Sequence, residues 1–292
     1  MHNFKANYEK ILKVLKQISR EKLLPYQRRK PVLADIEVIA INLRAEYLGI
    51  DSECDLFRKL TKDIRSGIER SVYNRRRRRL FPYLEKIRAD LSASLNIDQD
   101  HFLVDSMPLE VCKLSRSSRS KVCRDSGYGA PDKGYCASQS SHYYGYKLHA
   151  TCSVSGVFQS IDISPASVHE IHYLKDIKAQ LKNCTLIGDR GYLSAQYQLN
   201  LFETRSIKLD TPMRRNQKNY REQPYIYRKS RKRIETLFSQ LCDQFMIRRN
   251  YAKSFEGFKT RILSKISALT IVQFINKVVF NRNINNIKIS II

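Results

Sequence analysis

Three carboxylates, Asp105, Asp189 and Glu235, have the residue types and settings to do chemistry together. Asp105 interrupts a short apolar run, HFLVDSMPL. Asp189 follows CTLIG, which reads as a buried strand, and opens Asp189-Arg190-Gly191-Tyr192. Glu235 lies on YRKSRKRIETLFSQLCDQFMIRRN (227–250), where Ile234, Leu237, Phe238, Leu241 and Phe245 recur at three- and four-residue steps, the spacing of an amphipathic helix. Taken singly, each acid has a plain explanation: a strand-end polar residue, a turn former, and an i−4 partner of Arg231 worth about 0.3–0.5 kcal/mol. Taken together they form a hard-oxygen ligand set. Two divalent ions about 3.5–4 Å apart activate an attacking oxygen and stabilise a leaving one on a phosphodiester. Mg²⁺ keeps several waters, so two or three carboxylates and a substrate phosphate suffice to hold it.

The elements that must position these acids change period along the chain. Helical spacing over 4–18, 34–48, 55–64 and 80–95 predicts a small all-helical domain, residues 1–98. Pro25 and Pro31 bracket a basic link, YQRRK, and a run of five arginines, Arg75, Arg76, Arg77, Arg78 and Arg79, precedes the last helix. A run of like charges this dense is better explained by phosphate contact than by a solvated face. Residues 101–109, the alternating 144–152, 157–163, 184–188 and 207–209 read as strands, with Ser155-Gly156 as a hairpin turn. Residues 112–142 read as a long loop. Ser167-Val168-His169-Glu170 reads as a capping box opening a helix through Leu181. His149 falls on the polar face of its strand and is expected to be exposed. Strands followed by helices and a late basic helix predict a mixed-sheet α/β domain over 99–255. The apolar run 262–280, broken by Lys265 and Lys277, predicts a C-terminal helix and tail (256–292) packed on that domain rather than a membrane span.

Charge narrows the class further. The 292 residues carry 53 Lys and Arg against 28 Asp and Glu, a formal net charge of +25, which points to a polyanionic partner. Residues 211–292 hold 18 of those basic residues against 4 acidic ones, so the end that carries Glu235 is the most basic. Arg190, Arg228, Arg231 and Lys232, together with the five arginines, are the candidate DNA contacts. Seven widely spaced cysteines and a charged N-terminus without signal-peptide character predict free thiols in a reducing cytoplasm. Cys112, Cys123, Cys136 and His142 lack the two-to-four-residue ligand spacing of a zinc site.

Val104-Asp105-Ser106, Tyr144-Gly145-Tyr146-Lys147-Leu148-His149, Gly188-Asp189-Arg190-Gly191-Tyr192, Thr211-Pro212 and Arg233-Ile234-Glu235 resemble the motifs of bacterial insertion-sequence DDE transposases. The similarity is closest to the insertion-sequence family numbered nine-eight-two. That resemblance implies a ribonuclease-H-like catalytic fold. It also implies two Mg²⁺ (or Mn²⁺) held by Asp105, Asp189 and Glu235, and a homodimer on DNA. The activity it implies is cleavage at the element's terminal inverted repeats and strand transfer into target DNA. Arg231 fits the family's helical pattern, whereas Tyr227 is one residue early and Cys242 stands where relatives place a Lys. Two alternatives share the same residues: a nuclease that cuts without joining, and a catalytically dead DNA-binding derivative.

Overall fold

Apolar spacing makes the helices, and their apolar faces sort them into packing units. The computed structural model describes residues 4–18, 31–125, 129–216 and 220–291; the basic link at 26–30 lies outside them. The chain divides into two units, Met1–Leu91 with Gln240–Ile292, and Ser92–Ser239. In the first, α1 (Phe4–Ile18) buries Tyr8, Ile11, Val14 and Leu15, a stripe at helical steps. α2 (Asp35–Tyr47) is buried from Val38 through Glu46, and the Ala34 N–H at its start donates to Glu37 Oε2 at 2.7 Å. The single helix expected over 55–64 is two, α3 (Glu53–Lys59) and α4 (Lys62–Ser66). Leu60 between them turns extended (ψ 141°) and buries its side chain. α5 (Arg70–Arg79) carries the arginine run, and α6 (Phe81–Leu95) crosses the boundary between units.

The second unit is built on a mixed sheet. Its strands begin with β1 (His101–Cys112), β2 (Asp132–Cys136), β3 (Ser141–Ser153) and β4 (Phe158–Pro165). β1 pairs antiparallel with β3 from Phe102↔Ser153 to Cys112↔Tyr144. The other edge of β3 is shared: β2 takes Ser141–Gly145 and β4 takes Tyr146–Cys152. Backbone crowding at the shared point requires glycine, because a Cβ on Gly145 would sit 2.1 Å from the Leu109 carbonyl oxygen. α7 (Leu174–Gln180), β5 (Cys184–Ile187), α8 (Ala195–Arg205), β6 (Ile207–Asp210) and α9 (Tyr225–Asp243) follow, with β5 parallel to both β1 and β6. Phe102, Val104, Leu186 and Leu209 pack with Leu174, Ile177 and Leu201 of α7 and α8 as the core of this unit.

Two expectations change here. The long loop contains β2, whose sequence DKGYC has no apolar alternation because the strand is short and mostly exposed. His149 is buried, not exposed, because β3 is a central strand covered on both faces. Its ring stacks on Tyr173 at 5.2 Å, its Nε2 meets Ser164 Oγ at 2.8 Å, and burial lowers its pKa to about 4.

α10 (Phe255–Phe274), capped by Ser254 and followed by a π-helical turn at Ile275–Val279, belongs to the first unit. The stretch Phe255–Val279 is long and apolar enough to cross a membrane by length and composition, yet 78% of its most apolar window is buried within the protein. The sequence places residues 256–292 on the catalytic domain; in the structure α10 packs on α2 within the first unit. A buried charge decides that partner. Lys265, fully buried, donates to Glu46 Oε2 of α2 at 2.7 Å and to the Phe245 carbonyl at 2.6 Å, with Arg261 Nε 3.5 Å from Glu46 Oε1. Asn42 Nδ2 donates to Ser264 Oγ at 2.7 Å on the same seam. Breaking a buried pair by removing one partner costs about 3–5 kcal/mol. Glu46→Leu and Lys265→Met should each lower the unfolding free energy by about that amount in urea titrations, and the double variant should recover most of the loss. Singly substituted proteins as stable as wild type would show the pair to be dispensable.

Candidate metal centre and nucleic-acid surface

The register of two parallel strands brings the first two acids together. β1 and β5 pair as His101↔Thr185, Phe102↔Leu186 and Leu103↔Ile187. Continued by two residues, that register sets Asp105 level with Asp189 on the neighbouring chain path, and adjacent strands lie about 4.8 Å apart. Asp189 sits past the end of β5, where its Oδ1 accepts from the Gly191 N–H at 2.8 Å and caps a 3₁₀ turn at Arg190–Tyr192. Asp105 accepts from the Ser106 N–H at 2.8 Å. Burial pushes its pKa up to about 7; the Ser106 N–H opposes this, Asp189 and Glu170 add to it, and Arg231 of α9 pulls the other way. α9 buries Ile234, Leu237 and Phe238, with Phe238 against Phe158 at 6.3 Å, and its first turn brings Tyr227 to 5.8 Å from His101.

Residues 96–271 match the family model described as the transposase DDE domain. The chain belongs to that family. No individual curated protein matches it at a significant level. The DDE domain here has the mixed α/β fold, a curled sheet flanked by helices, of the ribonuclease-H-like class.

Among the described residues of this DDE domain no three acidic, His or Cys side chains are gathered closely enough to hold a divalent cation. The donor chemistry fits, since Asp105 and Asp189 are hard oxygen ligands of the kind that suffice for Mg²⁺ with its retained waters. An orphaned polar atom also fits. The Tyr192 hydroxyl is fully buried without a hydrogen-bond partner, and burial, Glu170, Asp105 and Asp189 all hold its pKa well above the ordinary value. Glu170 is the residue the sequence reading missed. Read as the acid of a capping box, it instead leaves its own turn: its Oε1 accepts from Ser106 Oγ at 2.6 Å, while His169 Nδ1 accepts from the Ile171 N–H as the cap.

Glu235 lies on the open side of α9. It is exposed, and among the described residues it makes no hydrogen bond or ion pair, with Arg231 or any other group. The charges that act on Asp105 are those of Asp189, Glu170 and Arg231. Of the candidate DNA contacts, Arg190, Arg228 and Lys232 are exposed, Arg228 holding Glu222 at 2.8 Å. The arginine run splits. Arg75 and Arg79 are exposed, whereas Arg76 reaches Asp35 Oδ1 at 2.5 Å and the Leu33 carbonyl at 2.9 Å, and Arg77 reaches Glu53 Oε1 at 3.0 Å. The Arg76 and Arg77 side chains are about nine-tenths buried, so a helix turns two of five like charges inward to meet acids that sequence spacing does not reveal.

Two outcomes follow. Arg76→Gln and Arg77→Gln should lower thermal stability, whereas Arg75→Gln with Arg79→Gln should leave melting unchanged and weaken DNA retention in a gel shift. The reverse pattern would place the inner pair on the DNA. The second concerns pH. Asp105 in the folded, metal-free protein titrates near 7 instead of at its ordinary 3.8, so the fold holds a proton that the unfolded chain releases. That stabilisation is complete below about pH 4 and is lost as pH rises through about 7. Compared with Asp105→Asn in chelator, wild type should therefore lose unfolding free energy between those limits; parallel curves would remove Asp105 from the buried set.

Proposed function

We propose that this chain is a DNA transposase, akin to the insertion-sequence family numbered nine-eight-two, that cuts at the terminal inverted repeats of its element and joins the released 3′-hydroxyl to target DNA. The observation that carries the reading is the level placement of Asp105 and Asp189 on adjacent parallel strands within a DDE family match. Asp105 and Asp189 would hold divalent cations, Mg²⁺ or Mn²⁺, with Glu235 as the third acid by motif. Bound there, two such ions lower the pKa of an attacking water or hydroxyl and stabilise the leaving oxygen on a phosphodiester.

The chain's own residues do the rest. Arg231, electrostatically coupled to Asp105, favours its charged form. Exposed Arg190, Arg228 and Lys232 of the second unit and, separately, Arg75 and Arg79 of the first would contact phosphates with an affinity that falls with salt, log K against log salt having a slope of about −0.9 per neutralised phosphate. Partners under this reading are the element's own repeats and target DNA, engaged by a homodimer in the cytoplasm. A nuclease that cuts without joining shares every one of these residues, and strand-transfer products distinguish the two.

The test uses an end-repeat oligonucleotide and a target duplex in Mg²⁺, with gel shifts in chelator. Asp105→Asn, Asp189→Asn and Glu235→Gln should each abolish cleavage and joining while leaving chelator binding intact or tighter. A triple variant should be little worse than any single one, since the acids act as a unit. Near-wild-type cutting by Glu235→Gln would make it an ordinary surface acid, and near-wild-type cutting by Asp105→Asn would end the metal-dependent reading.

A further inference from the structure

We infer that the first unit holds a pocket for an unpaired DNA nucleotide, its phosphate met by Arg78 and Lys253 and its base stacked on Tyr251; this rests on the DNA-acting reading above but not on its metal site. The pocket is a cleft of about 440 Å³, within the range of ~300–1,000 Å³ that encloses a small molecule. Its walls are the start of α3, one face of α5 and the entry to α10, all within the first unit. On α5 that face is Arg70, Asn74, Arg77 and Arg78, spaced i, i+4, i+7 and i+8.

Charge inside the cleft is left unbalanced. Glu53 is used by the wall itself, its Oε1 accepting from Asn74 Nδ2 at 2.5 Å and from Arg77 at 3.0 Å. Arg261 is taken up by the Ile50 and Asp51 carbonyls and by Glu46. Arg70 donates to the Cys54 thiol, which does not neutralise it. What is left among the described lining residues is Arg70, Arg78 and Lys253 against the carboxylate of Asp51. The Arg78 and Lys253 side chains make no hydrogen bond or ion pair among the described residues. A phosphate offers them the charge-assisted hydrogen bonds that the wall does not.

Tyr251 decides between kinds of strand. It lines the same cleft yet is 67% exposed, an aromatic ring held in water beside cations. A duplex turns its bases inward and offers a basic surface only its backbone. An unpaired strand offers a ring face for stacking next to each phosphate.

The experiment uses the full chain in chelator. Binding of a fluorescein-labelled oligothymidine strand and of a blunt duplex is followed by anisotropy, with circular dichroism to check folding. Tyr251→Ala should weaken single-strand binding roughly 5- to 150-fold, the range that one stacked base contributes, while Tyr251→Phe and all duplex binding stay at wild type. Arg78→Gln with Lys253→Gln should flatten the single-strand slope of log K against log salt by about 1.4, at about 0.7 per lost phosphate contact. Cys54 gives a readout that needs no variant of the pocket, because it is exposed while the other six cysteines are buried or half-buried. Saturating single strand should slow its alkylation by iodoacetamide. Wild-type strand affinity in Tyr251→Ala, equal losses on strand and duplex, or an unchanged alkylation rate would each overturn the pocket and leave the DNA-acting reading standing. Failure of the wild-type chain to bind either DNA would overturn both.

Discussion

Three residue pairs between β1 and β5 fix where Asp105 and Asp189 lie relative to one another. Parallel strands keep a common direction, so their carboxyl-terminal parts reach the same edge and residues equally far along lie side by side. Asp105 and Asp189 exploit that. One continues along a long strand that goes on to pair with β3; the other leaves a short strand directly into a 3₁₀ turn. A slip of one residue would send one acid to the opposite face of the sheet. The packing of Phe102, Val104 and Leu186 against α7 and α8 resists such a slip, because it would expose the whole apolar set. The core of this unit therefore fixes the distance between two charges that water would otherwise keep apart.

Much of this was legible in the residues. The helical stripe of α1, the alternation of β3, the hairpin at Ser155-Gly156 and the buried run before Asp189 all became the elements their spacing predicts. Asp105 and Asp189 could be chosen because each breaks an apolar strand pattern, which a sequence displays directly. What it does not display is who meets whom across a fold. Arg76 and Arg77 look like their neighbours until Asp35 and Glu53 are seen beside them. Glu170 looks like a cap until its carboxylate is seen on Ser106. His149 looks exposed until β3 proves central.

The placement of α10 shows the same limit from the side of energetics. Apolar periodicity says that the helix is buried but not against what. A lysine inside an otherwise apolar helix marks the answer, because its charge must meet an acid wherever the helix packs. Glu46 is that acid, held on a helix that is itself buried along most of its length. Burial leaves Lys265 easier to deprotonate than an ordinary lysine, while Glu46 works against this by favouring the charged form.

That pairing joins residues 219 positions apart and has a temporal consequence. Synthesis runs from the N-terminus, and domains fold as units while the chain emerges. The sheet unit is one continuous segment and has all its strands once residue 210 is out. The unit of α1–α5 waits for α10, because until then Glu46 has no Lys265 and α2 lacks one of the helices that pack on it. On the ribosome, the unit holding Asp105 and Asp189 is therefore assembled before the arginine-bearing unit is sealed, and a prematurely terminated chain would keep the first but not the second.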